Sequence, residues 1–195
     1  MIIEASGASS NGIESGYLSD KAELQIYADN IDITSGANGM YTVLGDGKGG
    51  NIILGSEDRK IQGLTIESGG QGIDNKNGNV YIYGTDDSQF YIHSLNTSGK
   101  NSNQAAINNS AYKGEISMTG GSIRLQTDKV DKGYGDGITN STGTTTLNFN
   151  SIEMDVTGNG ICNTSSGTVY LNTKGSNTIT SAQQGIYAEE GTVDV

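Results

Sequence analysis

One phrase recurs along this chain: a glycine and an isoleucine, one variable residue, then an asparagine. It stands complete at Gly72–Asn75, Gly137–Asn140 and Gly160–Asn163, and as Ala106–Asn109 with alanine in place of glycine. With the looser starts Gly12-Ile13, Gly39-Met40 and Gly185-Ile186 the chain has seven beginnings, at intervals of 27, 33, 34, 31, 23 and 25 residues. A chain that repeats one unit at this spacing stacks it, and the repeat constrains the fold more than any local signal does.

Each start opens a unit of three short alternating runs. The second run reads ELQI, NIIL, VYIY, EISM, LNF and VYL; the third reads NIDI, GLTI, FYIH, SIRL, IEMDV and NTIT. Alternation places every second side chain on one face of a strand. The inward sets of the second run are Leu24/Ile26, Ile52/Leu54, Val80/Ile82, Ile116/Met118, Leu147/Phe149 and Val169/Leu171. Those of the third are Ile31/Ile33, Leu64/Ile66, Phe90/Ile92, Ile123/Leu125, Ile152/Met154 and, more weakly, Ile179. One unit cannot bury such faces alone, whereas stacked units, about 4.8 Å apart, turn them into ladders.

The expected fold is therefore all-β: a single-stranded right-handed parallel β-helix (solenoid) of about six three-strand coils. Rigid hexapeptide and nonapeptide solenoids do not tolerate the drifting interval, and no LxxLxL phrase supports a leucine-rich repeat. Gly, Asn, Ser and Thr supply 89 of 195 residues, which suits many short strands joined by polar turns. Residues 1–195 read as one β-helix domain, truncated at both ends and about 30 Å long. MIIEASGASSNGI resembles the third run and exit turn LTIESGGQGI, and GTVDV restarts a second run; neither end carries a polar cap.

The recurring phrase itself reads as a corner. Glycine permits the bend, isoleucine enters the core, and Asn75, Asn109, Asn140 and Asn163 form an internal ladder satisfying turn backbone groups. Cys162 follows Ile161 and is expected to face solvent.

Composition narrows the function classes. A formal charge of −11 with scattered basic residues disfavours nucleic acid. One cysteine excludes an internal disulfide and a cysteine-based zinc site. No apolar stretch reaches the roughly 18–20 residues of a membrane helix, and the start lacks a signal peptide's pattern, so no membrane contact by this segment is expected.

Gly84–Asp87, GTDD, resembles the Gly-x-Asp-Asp phrase of polygalacturonases, but no Asn-x-Asp sits on a neighbouring coil at a matching strand position, no Arg-Ile-Lys or Gly-His-Gly accompanies it, and Asp86/Asp87 read as a solvated turn. Asp46, Asp131 and Asp136 sit in loops that could hold calcium, yet each loop has too few carboxylates, so no metal site and no cofactor are expected. Tyr81, Tyr83, Tyr91 and Tyr170 should face outward as a candidate binding surface, alternatively as cover for neighbouring side chains. Ser117 and Asn148 are expected at the positions between Tyr81 and Tyr170, breaking a continuous stripe. The long polar insertions Ser94–Gln104 and Thr127–Asp136 are further places for a partner.

GIYAEEGTVDV, GIDNKNGNVYIYG and LTIESGGQGI resemble the passenger domains of Gram-negative autotransporter adhesins, along the whole chain and through repeat style and composition. That resemblance implies a right-handed β-helix displayed on the bacterial cell surface or secreted, mediating cell adhesion, aggregation or biofilm formation. Its partners would be a host or matrix glycan or protein, or a second copy. The expectation is a non-catalytic adhesin or stalk segment. The alternative is a polysaccharide lyase or hydrolase on the same fold, and a phage tailspike is a third reading.

Overall fold

The computed structural model describes residues 1–16, 23–42, 50–97, 104–111, 113–129 and 133–195. Among them are eighteen strands and no helix, and every pairing between strands is parallel. The chain is a parallel β-solenoid of about six turns.

Each coil contributes three strands. The first belongs to a seven-stranded corner sheet made of Ile13–Ser15, Met40–Thr42, Ile73–Asn75, Gln104–Asn109, Gly135–Asn140, Ile161–Asn163 and Ile186–Ala188. These are the seven Gly-Ile starts. The second and third strands form an eleven-stranded sheet that bends along its length. In the three central coils they run on without a break, as Val80–Ser94, Glu115–Thr127 and Thr144–Val156.

Third-strand register matches the alternation. Ile33, Ile66, Ile92, Leu125, Met154 and Ile179 are partners in series, and the first five are 1 % exposed or less. Each such side chain contributes roughly 1.5–3 kcal/mol of burial free energy. The ladder also explains the glycine of four of the starts. A β-carbon on Gly12, Gly39, Gly72 or Gly160 would collide with the Cγ2 methyl of Ile33, Ile66, Ile92 or Ile179 on the third strand that follows it. The one alanine, Ala106, goes with Leu125 on that ladder, which has no branch at Cβ.

Second-strand register departs from expectation in the fifth coil. Thr145 and Leu147, rather than Leu147 and Phe149, pair with Ile116 and Met118 and with Val169 and Leu171. Phe149 instead lies opposite Gly120, where a β-carbon would stand 2.7 Å from its ring. Its ring meets Phe90 edge-on, with centroids 5.5 Å apart. Space vacated by Gly84 and Gly120 at the sheet bend is filled by these two rings.

Polar ladders occupy the corners. Asn75, Asn109, Asn140 and Asn163 are fully buried, as the phrase implied. One direct amide contact exists, Asn75 Nδ2 to Asn109 Oδ1 at 3.1 Å. Elsewhere each Nδ2 donates to a turn carbonyl: Gly78, Gly114, Gly143 and Gly167 in turn. The hydroxyls of Thr42 and Thr145 donate to Asn75 and Asn140 at 2.6 and 3.1 Å. A second ladder, Ser35–Ser68–Ser94–Thr127, closes the third strands, its hydroxyls donating to the carbonyls of Ala37, Gly70 and Gly135.

A third series precedes each Gly-Ile. The backbone N–H of Asn38 donates to Asn11 Oδ1, that of Gln71 to Asn38 Oδ1, that of Asn159 to Asp136 Oδ1 and that of Gln184 to Asn159 Oδ1. Side-chain amides and one carboxylate therefore cap the corner of the following coil.

Candidate functional site

The outward face of the third strands carries an extended groove. Its floor is built of register partners on successive coils: Gly63, Gln89, Ser122 and Ser151 in one row, and Thr65, Tyr91, Arg124 and Glu153 in the next. The groove encloses about 840 Å³ and runs along the axis from Asn30 to Glu153. Five strands cross it, which makes it about 19 Å long at ~4.8 Å per coil.

A local insertion walls the groove on one side. Five residues, Gly84–Ser88, separate Tyr83 from Gln89 where only Gly120 and Gly121 separate Thr119 from Ser122. The excess is extruded outward as a bulge carrying exposed Asp86 and Asp87. It is tied down by Gly121 N–H to Ser88 Oγ at 3.1 Å and by Asn150 Nδ2 to the Asp86 carbonyl at 2.9 Å. The Asp pair is thereby split. Asp87 lines the third-strand groove with Thr85, and Asp86 lines a second groove of about 710 Å³ beside Lys60, Asn148, Asn172 and Lys174. The expected solvated turn is thus a partition between two surfaces.

Tyr91 is the fixed aromatic of the groove. Its hydroxyl donates to Gln126 Oε1 at 2.9 Å, and its ring lies 5.7 Å from that of His93. His93 Nε2 stands 2.9 Å from Asp128 Oδ1. Burial raises the Tyr91 phenol above its ordinary range, opposed by Arg124 and assisted by Glu67, Asp128 and Asp155. Arg124 reaches Glu153 and Asp155, each at 3.5 Å, across a solvated surface where such pairs add little stability.

The other tyrosines lie on a different face. Tyr81 and Tyr170 project from second strands, in the row Ile53–Tyr81–Ser117–Thr146–Tyr170, and Tyr83 lies in the adjacent row with Thr119, Asn148 and Asn172. Thr146, not Asn148, therefore stands between Ser117 and Tyr170, a consequence of the same two-residue slip that re-places Phe149. Tyr81 is half-buried and donates to Glu115 Oε2 at 3.2 Å; burial, then the Glu115 carboxylate, push its phenol up to about 12. Tyr170 is exposed. The four tyrosines do not form one platform.

Cys162 is buried, contrary to expectation. It does project from the outer face of the corner sheet, but Asp136 from the preceding coil covers it. The thiol donates to that carboxylate, and burial followed by the Asp136 charge push it up to about 11. Asp136 also accepts from Asn159 N–H at 2.7 Å, Asn159 Nδ2 at 3.2 Å and Thr139 Oγ1 at 3.3 Å. Its burial raises its carboxyl above the ordinary value despite these donors. Asp136 is thus a corner cap, while Asp46 and Asp131 lie outside the described residues. Among the described residues no group of three or more His, Cys, Asp or Glu side chains is placed to hold a metal ion.

Sequence reasoning missed the groove for two reasons. Gln89, Ser122, Arg124 and Glu153 come from separate coils and share no motif. The bulge is visible only against the register of the next coil. The interval of 34 residues from Gly72 to Ala106, among the longest, was its one available sign.

The chain matches no family model, no curated protein and no solved structure.

Proposed function

We propose that this β-solenoid is a non-catalytic attachment segment of an extracellular bacterial surface protein, and that its third-strand groove receives an extended glycan. One observation carries the reading: the groove sets outward positions of successive coils in straight rows that an extended polymer can follow, with hydroxyls on several coils and one amide and one aromatic ring on the central strand. Tyr91 offers a ring face for a sugar, and Gln89, Ser122, Ser151 and Thr65 offer mixed donors and acceptors for its hydroxyls. An added peptide strand fits less well, because the strands under the groove are already paired on both sides and expose no edge. The chain's formal charge of −11 favours a neutral polymer over a polyanion.

A second reading, a glycan hydrolase, draws on one observation: Asp87 and Glu153 line the same groove, and paired carboxylates are what glycosidic cleavage uses. One experiment separates the two. Retention of glycans and matrix proteins on immobilised protein is read together with released product. Attachment predicts binding without product, weakened at least tenfold by Tyr91→Ala or Arg124→Ala. Product abolished by Asp87→Asn replaces attachment with hydrolysis. Silence with every glycan and matrix protein rejects both and leaves a spacer.

A further inference from the structure

The outer face of the corner sheet holds a separate cleft of about 630 Å³, around an ion pair between buried Asp74 and partly exposed Lys76. Its floor is the outward row Tyr41–Asp74–Asn108–Thr139, contributed by four successive coils. The bends at Ala8–Ser9, Ala37 and Gly70 form one rim, Lys76 the other. Asp74 is 4 % exposed and accepts from Asn108 Nδ2 at 2.7 Å, Lys76 Nζ at 3.0 Å and Asn38 Nδ2 at 3.4 Å.

The fold does not require this arrangement. Tyr41, Asn108, Thr139 and Cys162 occupy the same row on other coils without a carboxylate, and the one at Glu14, beside Tyr41, is exposed; the ladder passes through all of them. Recessing a carboxylate and an ammonium costs desolvation that their attraction repays only in part. Here that cost yields a rigid polar floor whose donors are held in place before any ligand arrives.

We propose that this cleft is a second carbohydrate site, taking one or two units of a neutral saccharide. The Asp74–Lys76 pair has no net charge, so it does not select an ionic ligand. Lys76 keeps two ammonium hydrogens beyond the one aimed at Asp74 and remains partly solvated. With the Thr139 and Ser9 hydroxyls, they give the mixed donors and acceptors that vicinal sugar hydroxyls need. Half-buried Tyr41 supplies an aromatic surface at one end of the row. The cleft lies on a different sheet from the third-strand groove, so the two sites stand or fall separately.

The test is a titration of isotope-labelled protein with neutral tetrasaccharides of glucose, galactose, mannose and N-acetylglucosamine, followed by backbone amide shifts. The expected result is saturable shifts at Tyr41, Lys76 and Asn108 with at least one of them. Asp74→Asn and, independently, Tyr41→Ala should weaken these at least tenfold, while Arg124→Ala leaves them unchanged. Shifts confined to the surroundings of Tyr91 and Arg124 overturn the cleft while leaving the groove standing. No shift in the cleft with any of the four sugars, or shifts indifferent to both variants, likewise overturns it.

Discussion

Gly72 lies against the Cγ2 methyl of Ile92, on the third strand of the coil that Gly72 opens, with no space between them for a side chain. A β-carbon there would also stand 2.5 Å from the Ala106 carbonyl oxygen. Gly72→Ala must push two coils apart, and overpacking of this kind costs about 1–3 kcal/mol. Gly185 holds the same place in its phrase with nothing within 4 Å of a β-carbon. Urea unfolding should therefore show a clear loss for Gly72→Ala and a change within about 0.5 kcal/mol for Gly185→Ala. Equal effects would remove the packing explanation for the repeated glycine.

Asn109 is the central rung of the corner ladder. It accepts from Asn75 Nδ2 at 3.1 Å and donates to the carbonyls of Thr144 at 2.9 Å and Gly114 at 3.3 Å. Asn109→Ala leaves those buried groups unpaired, at a cost of about 2–3 kcal/mol. Asn109→Asp should be worse, since it places a charge facing carbonyl oxygens. Chemical denaturation of the two variants checks the order.

These two positions show what the sequence made legible. Alternation and the Gly-Ile phrase located every corner strand and the inward third-strand residues, because a solenoid demands the same burial at each turn. The phrase could not reveal where the stack deviates. Thr145 is polar and Phe149 apolar, so alternation alone favours Leu147/Phe149, and only the glycines opposite make room for the ring. Cys162 does lie on an outward position; its burial comes from Asp136, a residue of the preceding coil.

The cysteine gives a chemical test. With its thiol raised to about 11, Cys162 holds roughly a hundredfold less thiolate near pH 8 than a thiol at the ordinary value of 9.0. Iodoacetamide labelling should be at least that much slower in the folded protein than in urea. Labelling at the unfolded rate would show the thiol uncovered.

Asp136 sets a pH dependence. Its folded carboxyl is raised by burial, so the folded state favours the protonated form relative to the unfolded chain. The stability linked to that proton is fully present below the ordinary carboxylate value of 3.8 and is lost as pH rises through the folded value. Asp136→Asn removes this titration, so the stability of the variant relative to the parent should improve with rising pH across that window. Thermal melts of both proteins at acid and neutral pH read the sign; a gap that moves the other way means the donors around Asp136 outweigh its burial.

The bulge separates structure from binding. Removing Thr85–Asp87 leaves Gly84 and Ser88 to make the two-residue bend that Gly120 and Gly121 make one coil later. The inward residues on either side, Ile82 and Phe90, keep their partners Met118 and Ile123. Ser88 retains its contact with the Gly121 N–H, and the main loss is the exposed bond from Asn150 to the Asp86 carbonyl. The deletion should therefore shift the melting temperature by only a few degrees, consistent with a loss near 1 kcal/mol. Glycan retention by the groove should fall at least tenfold, because its wall and the Asp87 carboxylate are gone. Retention unchanged in a folded deletion variant would move the attachment surface away from the third-strand groove, and with it the role assigned to Tyr91 and Arg124.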